Sequence, residues 1–288
     1  WGLFNWNMFK KAQKLGTPIS NMVPWDYAKR NALQWGNKEA IMDTFLGVEG
    51  ENRRRKTWKQ VYEECNTILF NLANLGLRKE HMLVTQLPNI IENYYASIFT
   101  SKLSLIYTCV QVELGEKDVK GTLDALDPDV TIVTPSYHGR EIAKWHLEYQ
   151  KIHSNLKHIF VVNKPDEPVP EGTKSFSELL DPKIREVWND SDLQYFKTDP
   201  FEPQQIVPSG GTTGIPKTCI TSPATILPTM HDWYSKLGLL AEDTCLIFGP
   251  INGGTGRGQG VWTQLMSGSK AIYLTEFDEE NACRLTEE

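Results

Sequence analysis

The sequence lacks a long apolar run, a paired-cysteine motif, an excess of positive charge and any internal repeat, and each absence removes a class of protein. Its most membrane-like stretch, residues 103–112 between Lys102 and Glu113, is about half the length a spanning helix needs. No transmembrane segment is expected, and residues 1–8 lack the basic flank and apolar core of a signal peptide. The five cysteines, Cys65, Cys109, Cys219, Cys245 and Cys283, are odd in number and form no C-x-x-C pair, so free thiols in a reducing, cytoplasmic compartment are expected. A formal charge of -6 gives no general attraction to nucleic acid or anionic lipid, and the one basic run, 53–56, is short. The six histidines (His81, His138, His146, His153, His158, His231) show no metal-ligand spacing, so no metal site is expected. No G-x-S-x-G elbow offers a serine nucleophile.

What is present is an ordinary globular composition. At 288 residues, 40% of them apolar and 23% charged, the chain is long enough to bury one large core or two smaller ones. Asp26 can cap a helix that runs to Gly36. Thr57 and Gln60 form a capping box ahead of Val61, Cys65, Ile68, Leu69, Leu72 and Leu75, whose helical spacing ends at Gly76. Strand patterns at 82–87, 105–110, 130–134 and 158–162 alternate with helix patterns at 90–102, 118–126 and 138–150. This alternation predicts an α/β fold of parallel-sheet layers with flanking helices. Composition divides the chain into a lead-in (1–23), a first α/β segment (24–200) and the start of a second (201–288), with a surface loop at 163–172.

The chemistry concentrates in one segment. After the short apolar run 205–207 come Ser209, Gly210, Gly211, Thr212, Thr213, Gly214, Ile215, Pro216 and Lys217. The glycines allow positive φ and close backbone approach, the hydroxyls add donors, and Lys217 adds a mobile positive charge. Together they suit a loop that wraps a polyphosphate; the plainer alternative is a solvated Ser/Thr/Gly turn. A P-loop of the NTPase or kinase kind would need Gly-Lys-Ser/Thr opening a helix, whereas here Pro216 interrupts the pattern and 218–222 favours a strand.

These nine residues resemble the phosphate loop of the acyl-adenylate-forming superfamily, which includes acyl- and aryl-CoA synthetases. Its pattern of Ser/Thr, small, Gly, Ser/Thr, Thr, Gly, any, Pro, Lys is met at each of positions 209–217. The helix 57–75, the segment 86–89 followed by Glu92, and Gly260, Leu265, Gly268, Phe277 and Asp278 also resemble that family's N-terminal domain, so the similarity covers most of the chain from about Pro24. It implies the incomplete large N-terminal domain of an adenylate-forming enzyme: ATP-dependent activation of a small carboxylic acid, with Mg²⁺ and with coenzyme A as the acyl acceptor. Ser209, Gly210, Gly211, Thr212, Thr213, Gly214 and Lys217 would hold the ATP phosphates.

The resemblance also sets out two departures. Where many members carry an aromatic or His three residues after the pocket proline, this sequence has Pro250 followed by Ile251, Asn252, Gly253 and Gly254. The last three are expected in the acid pocket, Asn252 hydrogen-bonding a substituent, although a Gly-rich turn needs no ligand to explain it. The family's adenine and ribose contacts, acidic metal-binding residue and catalytic Lys fall beyond Glu288. The chain is therefore expected to be about the first half of the enzyme, to contain no catalytic residue, and to be inactive without the C-terminal half. A P-loop-like NTPase or kinase and a non-catalytic nucleotide-binding module are the rival readings. His231 stands at a distance from the loop where some aryl-acid members also carry a His, but it is expected to be a surface or core residue. Arg257, among glycines, offers a partner for a carboxylate or phosphate, but a solvated loop arginine is the expectation.

Overall fold

The structure, a computed structural model, describes residues 21–208 and 218–287. Two sheets carry the fold. The larger has the order β7 (Lys174–Ser175), β6 (His158–Val161), β5 (Val130–Val133), β3 (Met82–Gln86), β4 (Ile106–Cys109), β8 (Gln205–Pro208) and β9 (Thr218–Thr221). Its neighbours are parallel except β8 with β9. The smaller sheet has the order β10 (Thr244–Ile247), β11 (Lys270–Tyr273), β1 (Glu39–Asp43) and β2 (Arg54–Thr57), antiparallel only between β1 and β2. Both sheets combine strands from before and after residue 200: β4 pairs with β8 and β1 with β11.

Helices α1 (Pro24–Trp35), α2 (Trp58–Asn74) and α3 (Ile91–Leu103) pack on one another, and α3 also touches β1 of one sheet and β3 and β4 of the other. Every residue of α3 except Lys102 is buried, as expected of a helix enclosed between two sheets. In α2 the side chains of Val61, Cys65, Ile68, Leu69 and Leu72 are fully buried, at about 1.5–3 kcal/mol for each large aliphatic group removed from water. Its capping box forms as the sequence predicts: Gln60 N donates to Thr57 Oγ1 at 3.3 Å, and Thr57 N to Gln60 Oε1 at 2.9 Å. Helices α4 (Glu116–Leu126) and α5 (Ile142–Ile152) cover the outer face of the large sheet through Val119, Leu123, Ile142 and Ala143, and α9 (Glu279–Glu287) covers the small sheet through Leu285.

Two helix starts differ from the sequence expectation. Helix α1 begins at Pro24, with Val23 rather than Asp26 at the cap position. Proline suits a first helical turn because its missing N–H has no partner there in any case, and Asp26, now inside the turn, accepts from Val23 N at 2.8 Å. The helix expected from His138 begins at Ile142 instead, because Tyr137 and Arg140 pair across a tight turn in which His138 (φ 46°) and Gly139 (φ 77°) are left-handed.

Charge is also buried between the layers. Asp43, at the end of β1 and fully enclosed, accepts from Arg54 Nε at 2.9 Å and from Ile91 N at 2.9 Å. Arg54 continues to Glu92 on α3, with donors at 2.6 and 2.8 Å. Burial opposes the charge on Arg54, but Glu92 and Asp43 outweigh it and raise its pKa further.

Candidate functional site

The seven residues proposed for the phosphate loop, Ser209, Gly210, Gly211, Thr212, Thr213, Gly214 and Lys217, lie outside the described residues; their flanks do not. The chain enters the segment from β8 and returns in β9, which pair antiparallel with Gln205 opposite Thr221 and Val207 opposite Cys219. A strand therefore follows the loop, where a P-loop would place a helix N-terminus against phosphate. His231 is an exposed residue of α6 (Pro223–Leu237).

Beside this ribbon is a cavity of about 270 Å³, lined by Gln205 and Val207 of β8, Cys219 of β9, Met230 of α6 and the segment Asn252, Gly253, Gly254, Arg257 and Gly258. The three pocket residues expected from the sequence thus share one cavity wall. A larger open groove of about 930 Å³ lies between Thr44 and Asp278, but neither β8 nor β9 lines it, so the smaller cavity is the candidate site. At about 270 Å³ it is just below the roughly 300–1,000 Å³ usual for ligand pockets.

Local backbone explains the wall. Residues Gly254–Arg257 form one α-turn (α7), Gly258–Trp262 a π-helical turn, and Thr263–Ser267 the helix α8. The widened turn, a feature frequent at functional sites, is fixed by Thr263 Oγ1, placed to donate to Gly258 O (2.7 Å) or Gln259 O (2.6 Å), and by Tyr273 OH donating to Gly260 O at 2.7 Å. A Cβ at Gly260 would stand 2.8 Å from Ile247 Cγ2, so only glycine lets the turn lie this close to β10. The far side is anchored by Asn89, which donates to Gly249 O at 3.0 Å and accepts from Ile251 N at 2.9 Å.

Arg257 corrects the sequence expectation. It is 5% exposed and lines the cavity. Its Nε donates to Ile251 O at 3.0 Å, Nη2 donates to Cys109 Sγ, and the guanidinium lies over the Tyr107 ring, 4.9 Å from the centroid. The Gln205 amide, turned so that its oxygen faces the guanidinium, accepts from Nη1 and from Nε at 3.3 Å. Burial opposes the charge, but Cys109 and Tyr107 beside it raise the pKa above the ordinary arginine value, so Arg257 is a buried cation. Tyr107 and Cys109 connect onward to the Asn93 amide, which accepts from Tyr107 OH at 3.0 Å and from Cys109 Sγ at 3.3 Å. Asn252 donates to Val110 O at 3.3 Å, and its own buried Oδ1 has no partner among the described residues. Gln205 carries no sequence signal for this site, and the solvated setting expected for Arg257 is replaced by a buried one. Among the described residues no group of three His, Cys, Asp or Glu side chains is arranged to hold a metal ion, and no helix is long and apolar enough to cross a membrane.

Two sheets with helices between and around them, and a cavity beside the β8–β9 ribbon, give the architecture of the N-terminal domain of adenylate-forming ligases. The chain belongs to the AMP-binding enzyme family, whose model matches residues 28–288. It is 26% identical over 191 residues to 4-coumarate–CoA ligase 1 of Solanum tuberosum, covering 66% of this chain and 31% of that protein. Among solved structures it is similar in fold to apo MbtA of Mycobacterium smegmatis (TM-score 0.82, 17% identity, 98% of this chain and 49% of that one). It is also similar to the anthranilate CoA ligase AuaEII in complex with anthranoyl-AMP (TM-score 0.73, 20% identity, 92% and 47%). The chain spans about a third of the length of the curated relatives it matches.

Proposed function

We propose that the protein activates a small carboxylic acid with MgATP. The acid's carboxylate oxygen attacks the α-phosphorus, an acyl-adenylate forms and pyrophosphate leaves; the acyl carbon then passes to the thiol of coenzyme A, releasing AMP. In this reading Ser209, Gly210, Gly211, Thr212, Thr213, Gly214 and Lys217 hold the phosphates, and the acid occupies the cavity walled by Asn252, Gly253 and Gly254. Catalysis in such a step comes mainly from positioning and charge neutralisation, which loop amides, hydroxyls, Lys217 and the Mg²⁺ carried by ATP are suited to supply.

The observation that carries the reading is the adjacency of a cavity to the ribbon that flanks the Gly/Thr segment, in a chain of the AMP-binding family. The 4-coumarate–CoA ligase relatives support coenzyme A as acceptor. The test is exchange of labelled pyrophosphate into ATP by the whole protein, assayed with and without carboxylic acids. Acid-dependent exchange is expected. ATP hydrolysis indifferent to acid would indicate an NTPase instead, and nucleotide binding without turnover a binding module.

A further inference from the structure

Resting on the acid-binding reading of this cavity, we propose that Arg257 selects acids bearing a second anionic group, such as dicarboxylates, by binding the group remote from the carboxyl that is activated. Arg54 and Arg257 are treated differently by the fold. Arg54 is enclosed by the carboxylates of Asp43 and Glu92. Arg257 is more deeply buried, yet its contacts among the described residues are a carbonyl, a thiol, an amide oxygen and an aromatic face, none of them a carboxylate. Segments 1–20 and 209–217 contain no Asp or Glu, so neither can supply one.

No carboxylate meets this buried guanidinium among the described residues, and it lines an accessible cavity rather than a packed core. An anion entering that cavity would supply the missing partner. A guanidinium's planar fork also matches a carboxylate with two parallel hydrogen bonds, which a point charge does not. Asn252 Oδ1, buried and unpartnered in the same cavity, adds an acceptor suited to a hydroxyl or amine on the same ligand.

Position assigns the group. Gln205, which meets the guanidinium, begins β8 in register with Tyr107 of β4. The strand then runs three residues, about 10 Å at an extended rise, before leaving for the Gly/Thr loop. The cation is therefore set back from the end of β8, and the carboxyl to be activated is assigned to the part of the cavity nearer that end. Glycines 253, 254 and 258 add no side chain of their own to this wall.

The experiment compares terephthalate with benzoate, and adipate with hexanoate, by calorimetric titration of the protein at neutral pH. The diacid of each pair is expected to bind at least tenfold more tightly, a span of about ten- to hundredfold being usual for charge-assisted pairs. Arg257→Gln should abolish that preference, the diacid of each pair losing at least about tenfold more affinity than the monoacid. Arg257→Lys should keep part of it, and thermal melting checks that each variant folds. Equal affinity for mono- and diacids in the unmodified protein would overturn the proposal, as would an equal loss for both in a folded Arg257→Gln variant. Pyrophosphate exchange separates this from the underlying reading. A diacid preference in binding with no exchange for any acid would sink the adenylation reading and leave the site. Exchange with monoacids alone would sink the site and leave adenylation.

Discussion

Asn89 grips the backbone of Ile251 across 162 residues of sequence, accepting its N–H at 2.9 Å while donating to Gly249 O. One amide side chain, set just ahead of α3, thereby fixes the turn from which the cavity wall departs. Replacing Asn89 with Ala removes both bonds and orphans a buried N–H, a loss of about 2–3 kcal/mol. Urea unfolding should show that loss, together with weaker binding of acids. A midpoint unchanged from the parent would show that the wall holds itself.

The glycines of the wall separate by what stands behind them. A Cβ at Gly256 would collide with the Pro250 carbonyl and come within 2.7 Å of Gly249 O, whereas one at Gly254 meets nothing within 4 Å. Gly256→Ala should therefore cost several kcal/mol or prevent folding. Gly254→Ala should change stability by less than about 1 kcal/mol, and Gly254→Val should alter the ranking of acids in a competition assay. Similar stability for the alanine variants at 254 and 256 would contradict the described turn.

Burial pushes His146 down to about 3. Its Nε2 meets Gln86 Oε1 at 2.9 Å and its Nδ1 has no partner among the described residues, so the folded protein holds it neutral. The unfolded chain takes up the proton near pH 6.5. Between about pH 6.5 and 3 the unfolded state binds more protons, so stability falls as pH falls, by about 1.4 kcal/mol per pH unit from this one group. His146→Gln should flatten that slope. Denaturant melts of both proteins at several pH values across the window measure the difference, and parallel curves would assign the acid sensitivity elsewhere.

Lys217 closes the proposed phosphate loop. Lys217→Ala in the whole protein should weaken pyrophosphate exchange about ten- to hundredfold at subsaturating ATP, the worth of one charge-assisted hydrogen bond, with acid affinity unchanged. An undiminished exchange rate would remove Lys217 from the phosphate site.

Local patterns were legible where local physics decides. The capping box at Thr57 and Gln60, the apolar stripe from Val61 to Leu72 and the strand-helix alternation each depend on residues a few positions apart, and each stands in the structure. Asn252, Gly253 and Gly254 were placed together by a short motif context, and they share one wall. Arg257 was misread because its glycine neighbours describe a loop, while its burial is decided by Cys109, 148 residues away, and by Gln205. Asn89 carries no local mark of its role, since its partners become neighbours only when the small sheet closes on α3. The shift of α5 from His138 to Ile142 has a nearer cause, a tight turn whose left-handed His138 the helical pattern conceals.

The pairing of Ile41 in β1 with Ala271 in β11, 230 residues later, sets a clock on biosynthesis. At about 5–20 residues per second, β1 emerges from the ribosome roughly 10–50 s before the strand that completes its side of the sheet exists. For that interval Ile41 and its neighbours have only β2 beside them, and the apolar edge awaiting β11 is open to chaperones or to other nascent chains. The yield of folded protein in cells should therefore respond to translation rate and chaperone supply more than a fold with nearest-neighbour strands would.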